Sequence, residues 1–448
     1  MVGPPNSGKF AGLQMIDPKY RIQGQTTVSK INTFEALKID TGVRNAIEND
    51  ILGHLNYKQP SEIQILATKA IQAKRKNPDE FRSFLIAAET GSGKTLAYLA
   101  PLLSKLKEQE ISDPNWEHLK ELPIIRCIVL VPTLELTTQV ISTVKRICHI
   151  AKLSSFALTP EISPRSISSK LEHRIDVLVA NPEKLLATFK TQNSINGHLK
   201  YCKWVVVDEA DTLMDESFVE STQKVLEATS SSATDLVFCS ATIPRRFDKI
   251  MTKLYPETTR IVTHSLHKIP RHIDFRVVEV FNPPYLNSKP RALQQALYAI
   301  HNDNTESGYL KRVVVFLNHK DEIPSLATFL KEKGYDAVSI SSQMTIQERK
   351  DLISDFVNPA PLLKHNENNS KVKVLLTTDL LSRGVDMNNI RNVILYDLPY
   401  SSVDLIHRAG RTGRMGKRGR VFLFVEKKES RGWVKGLEKV VKKGMVLA

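Results

Sequence analysis

Short runs of consecutive apolar residues alternate with longer stretches in which apolar side chains recur every three or four positions. The runs Phe84–Ala88, Cys127–Val131, Val177–Ala180, Trp204–Val207 and Leu236–Cys239 are rich in β-branched residues and unbroken by polar ones. Such runs read as strands buried on both faces, as in a parallel sheet with helical crossovers. After Leu266-His-Lys-Ile-Pro-Arg271 the pattern restarts with Val313–Leu317, Ala337–Ile340, Val374–Thr377, Asn392–Tyr396 and Val421–Val425. The expected fold is therefore α/β, with two tandem lobes that are each a mostly parallel sheet flanked by helices. The lobes are expected over 31–265 and 273–428, joined by a linker at 266–272.

The remaining segments lack this rhythm. Residues 1–30 carry Pro, Gly and polar residues without periodicity and read as a flexible arm. Asn358–Ser370 is broken by Pro and Asn and reads as a surface loop. The tail 429–448 places Trp433, Val434, Leu437, Val440 and Val441 at helical spacing, with Lys435, Lys439, Lys442 and Lys443 between them. It reads as a basic helix whose apolar face packs on the second lobe, and its lysine face could also meet RNA.

Composition narrows the class. At 448 residues the chain is long enough for two or three domains, and no apolar run reaches the roughly 18 residues needed to span a bilayer. The start has the marks of neither a secretory signal nor an Arg/Ser-rich transit helix. Four scattered cysteines (Cys127, Cys148, Cys202, Cys239) without a CxxC pair argue against zinc and for a reducing compartment. Lys and Arg outnumber Asp and Glu by 63 to 48, a net charge of +15, which favours a polyanionic partner and nucleic acid ahead of membrane.

Two segments carry the chemistry. Ala88-Glu89-Thr90-Gly91-Ser92-Gly93-Lys94-Thr95 is a glycine-rich turn between a strand and a helix. Its N–H groups and the helix N-terminus would face phosphates, Lys94 would bridge β and γ oxygens, and Thr95 would hold Mg²⁺. The Val205–Val207 strand ends in Asp208-Glu209-Ala210-Asp211. Asp208 sits where a carboxylate reaches Mg²⁺, Glu209 is the candidate base for the attacking water, and Asp211 would link the site to its neighbours. The implied cofactors are ATP and Mg²⁺. Gly3–Lys9 nearly repeats the phosphate-loop pattern, but no strand precedes it and two prolines remove needed N–H donors, so it is set aside.

Asp-Glu-Ala-Asp at 208–211 resembles the signature of the DEAD-box RNA helicases, and further family motifs follow in order. Ser240-Ala241-Thr242 resembles the motif that couples hydrolysis to strand separation. Thr377-Thr378-Asp379 with Arg383-Gly384-Val385-Asp386 resembles motif V, and His407–Arg414 resembles motif VI. Pro60–Gln64 resembles the end of the adenine-reading Q motif. The likeness covers about residues 34 to 426. It implies RecA-like lobes, with Gln64 on the adenine edge, Tyr57 stacked on the base, Asp386 on the ribose, and Arg411 and Arg414 as arginine fingers. Phe34 is a possible upstream aromatic. Ser240, Thr242 and His407 join Asp211 as coupling residues.

On the RNA side the resemblance assigns Pro132, Thr133, Glu135, Lys184, Arg349 and Thr378, of which Thr133, Lys184, Arg349 and Thr378 suit phosphate contact. Here the chain departs from the family pattern. Leu134 stands where Arg is usual, Ala180–Lys184 replaces Thr-Pro-Gly-Arg, and Ile346 takes a Gln position. The stretches at 266–270, 88–98 and 433–443 resemble the fungal mitochondrial DEAD-box helicases tied to large ribosomal subunit assembly. That implies a monomer in the mitochondrial matrix acting on structured ribosomal RNA, in which ATP and RNA close the two lobes and bend one strand. An ATP-gated RNA clamp without unwinding is the main rival reading. A DNA translocase is opposed by Gln64 and the Asp-Glu-Ala-Asp spelling.

Overall fold

The structure is a computed structural model that describes residues 13, 28–55, 58–75, 77, 80–192, 195–340, 344, 346–358, 360–362, 372–379, 390–413, 416–430 and 434–447. The chain divides at Leu266 and His267 into two compact units, and Leu13 belongs with the second.

In the first unit, seven strands form one sheet: β1 Arg82–Ala87, β2 Ile125–Leu130, β3 Ser155–Leu158, β4 Ile175–Ala180, β5 Trp204–Asp208, β6 Asp235–Ser240 and β7 Thr259–Val262. Their order is β3-β4-β2-β5-β6-β1-β7 and every pairing is parallel. All seven strands therefore end at the same edge. The register sets Asp208 opposite Cys239 and Ala87 opposite Ser240, which brings the acidic strand end and the mouth of the glycine-rich turn to that edge. Side chains alternate between two cores, one on each face: Val206, Val129 and Ile86 on one, Val205, Val207 and Ile128 on the other. Each such fully buried aliphatic contributes about 1.5–3 kcal/mol.

The second unit repeats the plan with β8 Ile273–Glu279, β9 Lys311–Phe316, β10 Asp336–Ser339, β11 Val372–Thr377, β12 Asn392–Leu395 and β13 Gly419–Val425. The order is β10-β11-β9-β12-β13-β8, again all parallel. The fold class is as the apolar pattern predicts. The strands it misses, β3, β7 and β8, all lie at sheet edges.

Two details differ from expectation. Leu13, in the segment read as a flexible arm, is fully buried in the second unit's core, because an isolated leucine gains more from a core than from water. Phe34, the possible upstream aromatic, is buried in the first unit's core at 1% exposure. In the tail, the helix Leu437–Lys442 buries Leu437, Val440 and Val441 against the second core while Lys435, Lys439, Lys442 and Lys443 stay exposed.

Candidate functional site

The glycine-rich turn leaves β1 and enters the helix Lys94–Ser112. Gly91 and Gly93 take φ of 81° and 86°, in the left-handed region where a Cβ is strained. At Gly93 a Cβ would also collide with the Gln64 amide. That amide braces the turn. Gln64 Nε2 donates to the Gly93 carbonyl (3.2 Å), Gln64 Oε1 accepts from Ser61 N–H (2.9 Å), and the Ser61 hydroxyl donates to the Ser92 carbonyl (2.8 Å). Ser61 and Gln64 thus form a capping box for the helix Glu62–Gln72 and a strut under the turn.

Lys94 Nζ donates to the carbonyls of Ala88 (2.9 Å) and Glu89 (3.0 Å), folding the ammonium over the turn. Glu89 Oε2 accepts from the Thr263 hydroxyl (3.0 Å). Among the described residues, the buried hydroxyls of Thr90 and Ser92 have no hydrogen-bond partner. Orphaned hydroxyls on a loop of turned-in backbone, beside a lysine, are the donors that phosphate oxygens require. The residues present therefore fit a nucleoside triphosphate.

Asp208 closes β5 with 6% exposure. Its Oδ2 accepts from the Tyr98 hydroxyl (2.8 Å) and its Oδ1 from the Glu209 N–H (2.9 Å), with Cys239 opposite it on β6. Burial pushes the Asp208 carboxyl above its ordinary range, with these donors and the nearby Lys94 charge acting the other way. Burial likewise pushes the Tyr98 phenol and the Cys239 thiol well up, each reinforced by the Asp208 charge. A buried carboxylate held by neutral donors is a fitting oxygen ligand for a hard cation.

Glu209 adopts φ 49°, ψ 50°, a left-handed conformation rare for a side chain of its size. Strain of this kind costs about 1–3 kcal/mol and collects at functional sites. Asp211 accepts from the Thr242 hydroxyl, and the Thr242 N–H donates to Ser240 Oγ (3.3 Å). Adjacent β5 and β6 thus bring the acidic end and Ser240-Ala241-Thr242 into one hydrogen-bonded cluster.

Pro132, Thr133 and Glu135 follow β2, and Lys184 follows β4, its neighbour in the sheet. Thr133 caps the helix Leu134–Ala151 through Leu136 N–H (3.2 Å). Asn181 ties the two loops together: its Nδ2 donates to the Pro132 carbonyl (2.9 Å), while its Oδ1 accepts from the Glu183 N–H (2.9 Å). Two helix N-termini therefore stand side by side, a ready cradle for a phosphodiester backbone. Asn181, read in the sequence only as part of a departure from the family, is what joins them.

In the second unit, Arg408 (1% exposed) donates to both oxygens of Asp379 (2.8 and 2.6 Å) and to Asn318 Oδ1 (2.8 Å). This anchors Asp379, the residue after Thr378, just beyond β11. His407 is half-buried on the helix Ser402–Ala409, Arg411 is 5% exposed, and Arg349 is half-buried on the helix Ile346–Val357. Tyr57, Asp386 and Arg414 lie outside the described residues.

Comparison with known families decides the class. Residues 61–250 match the DEAD/DEAH box helicase model and residues 288–416 the helicase conserved C-terminal domain. The chain belongs to the DEAD-box ATP-dependent RNA helicase family. It is 38% identical to the mitochondrial ATP-dependent RNA helicase MRH4 of Vanderwaltozyma polyspora, over 99% of this chain and 90% of the relative. It is 39% identical to that of Debaryomyces hansenii, over 98% of this chain and 88% of the relative. Among solved structures, Mss116p bound to single-stranded RNA and AMP-PNP shares the fold with a TM-score of 0.70 at 21% identity, covering 100% of this chain and 81% of that one. S. cerevisiae Dbp5 bound to RNA and ADP BeF3 matches at 0.69 and 22% identity, over 93% of this chain and 95% of that one. This helicase therefore has two RecA-like units, each with its own parallel sheet.

Proposed function

We propose that this helicase hydrolyses ATP at the edge of its first sheet and uses the cycle to unwind or remodel structured RNA locally. Its substrate would be ribosomal RNA in an assembling mitochondrial large subunit, with the chain acting as a monomer. The observation that carries the reading is the pairing of a phosphate turn that has unpartnered Thr90 and Ser92 hydroxyls with a buried Asp208 held only by neutral donors. The first fits anionic phosphates and the second fits a cation. Thr95 and Asp208 would hold Mg²⁺, which supplies charge neutralisation on the phosphates when bound. Lys94 would exchange the Ala88 and Glu89 carbonyls for phosphate oxygens, and Glu209 would orient and deprotonate the water. Arg411, Arg414, Gln64, Tyr57 and Asp386 keep the roles that the resemblance implies.

Mitochondrial location rests on the names of the MRH4 relatives, and the basic excess of +15 suits an RNA substrate. The cradle of Thr133 and Lys184, together with Thr378 and Arg349, would grip the phosphodiester backbone without reading bases. The replaced RNA-side residues favour the clamp as a second reading. Strand displacement decides between them. A short RNA duplex with a single-stranded extension is expected to separate in the presence of ATP and helicase. ATP-dependent RNA retention with no separation would instead establish the clamp.

A further inference from the structure

The mechanism above gives no role to Tyr98, one helical turn after Thr95 in the first unit. Its side chain is fully buried, yet its hydroxyl is hydrogen-bonded to a carboxylate on another element. It donates to Asp208 Oδ2 at 2.8 Å, across to the end of β5. Tyr98 therefore links the helix Lys94–Ser112, which follows the turn after β1 and carries Thr95 in its first turn, to the end of β5. These two strand ends are not neighbours, because β6 lies between β1 and β5. Phenylalanine would fill the same volume, so the hydroxyl is not needed for packing.

We propose that Tyr98 is a positioning residue that sets the Asp208 carboxylate and the Thr95 hydroxyl at the spacing a nucleotide-bound divalent cation needs. This rests on the assignment of Thr95 and Asp208 to the cation in the reading above. The phenol fixes Oδ2 and the Glu209 N–H fixes Oδ1, so the carboxylate plane cannot rotate freely. Preorganised ligands bind their ion more tightly than ligands that must be ordered on binding.

The test uses the full chain and a fluorescent ADP analogue, titrated with Mg²⁺ and with excess EDTA, for wild type, Tyr98→Phe and Asp208→Asn. The ratio of the two affinities reports cation coupling independently of turnover. Tyr98→Phe is expected to keep the EDTA affinity within about two-fold, while the Mg²⁺ enhancement falls by about five- to ten-fold, roughly the net worth of one ordinary hydrogen bond. Its half-saturating Mg²⁺ concentration for hydrolysis should rise in step. An unchanged enhancement in Tyr98→Phe, against a reduced one in Asp208→Asn, overturns the positioning role and leaves the site assignment standing. No Mg²⁺ enhancement in wild type, or a full one in Asp208→Asn, overturns the site assignment itself. Should Tyr98→Phe fail to fold, 3-fluorotyrosine at position 98 keeps the shape and makes the hydroxyl more acidic. It is expected to change the enhancement at least two-fold, and no change would overturn the proposal.

Discussion

Asp208 in the first unit and Asp379 in the second both follow parallel strands at the sheet edge where loops gather, yet they are held in opposite ways. Both carboxylate oxygens of Asp379 accept from a buried guanidinium, so its charge is already neutralised within the fold. Asp208 takes its hydrogen bonds from a phenol and a backbone N–H, and stays short of a positive partner at hydrogen-bonding distance. The first arrangement is structural, because an ion pair with bidentate geometry locks two loops and asks nothing of a ligand. The second leaves a buried negative charge to be satisfied by something that arrives. A carboxylate's partners thus tell more about its task than its burial does.

One conservative substitution applied to both sites should break this comparison if it is wrong. Asp208→Asn is expected to lower the ATPase rate by about 10²–10³-fold, since a preorganised charge facing the reacting phosphates is lost. The melting temperature should be unchanged or raised. Burial holds the Asp208 carboxyl above its ordinary pKa, so near neutral pH the fold carries a charge it disfavours, and the neutral amide removes that cost. Asp379→Asn should behave in the reverse sense. It strands Arg408 as a buried cation and is expected to destabilise the second unit by about 3–5 kcal/mol, seen as an early unfolding step in calorimetry. Nucleotide affinity of the first unit without RNA should be unchanged. Equal stability losses in the two variants would erase the distinction.

A smaller effect sharpens it. Asp303, at the other edge of the second sheet, accepts from Lys311 (2.8 Å) and Thr305 and pairs with Arg420. Burial acts to raise its pKa, but these donors prevail and hold it well below the usual carboxylate range. Asp303→Asn is expected to cost about 2 kcal/mol. A depressed pKa contributes stability that is complete above the unfolded value near 4 and is lost as pH falls through the folded one. The gap between wild type and variant in denaturant midpoint should therefore be full at pH 7 and shrink below about pH 4. A gap as large at pH 2 as at pH 7 would show that packing, not charge, holds Asp303.

Much of this architecture is written in the apolar runs. Val205–Val207 and Val313–Val315 are buried on both faces, and continuous β-branched runs have few other ways to be satisfied. The edge strands β3, β7 and β8 are not legible because only part of each is covered. Ser155–Leu158 buries just its last two residues, Thr259–Val262 likewise, and Ile273–Glu279 buries Ile273 and Phe275 among partly covered positions. A short half-buried strand has neither a long apolar run nor a clean alternation. The phosphate turn and the Asp208–Asp211 end were legible because their spacing is dictated by backbone and charge. Tyr98 was not, since a tyrosine among Leu96, Ala97 and Leu99 reads as core, and its hydroxyl acquires meaning only when β5 is placed beside it. Asn181 was hidden for the same reason: one of its partners, Pro132, lies 49 residues away in the sequence.

Steady-state ATP hydrolysis with and without structured RNA, for wild type and Glu209→Gln in parallel, tests the account most directly. Wild type should hydrolyse ATP and be stimulated by RNA, and Glu209→Gln should lose about 10²-fold or more of that rate while still binding nucleotide. Hydrolysis that ignores RNA, or a Glu209→Gln variant as active as wild type, would contradict it.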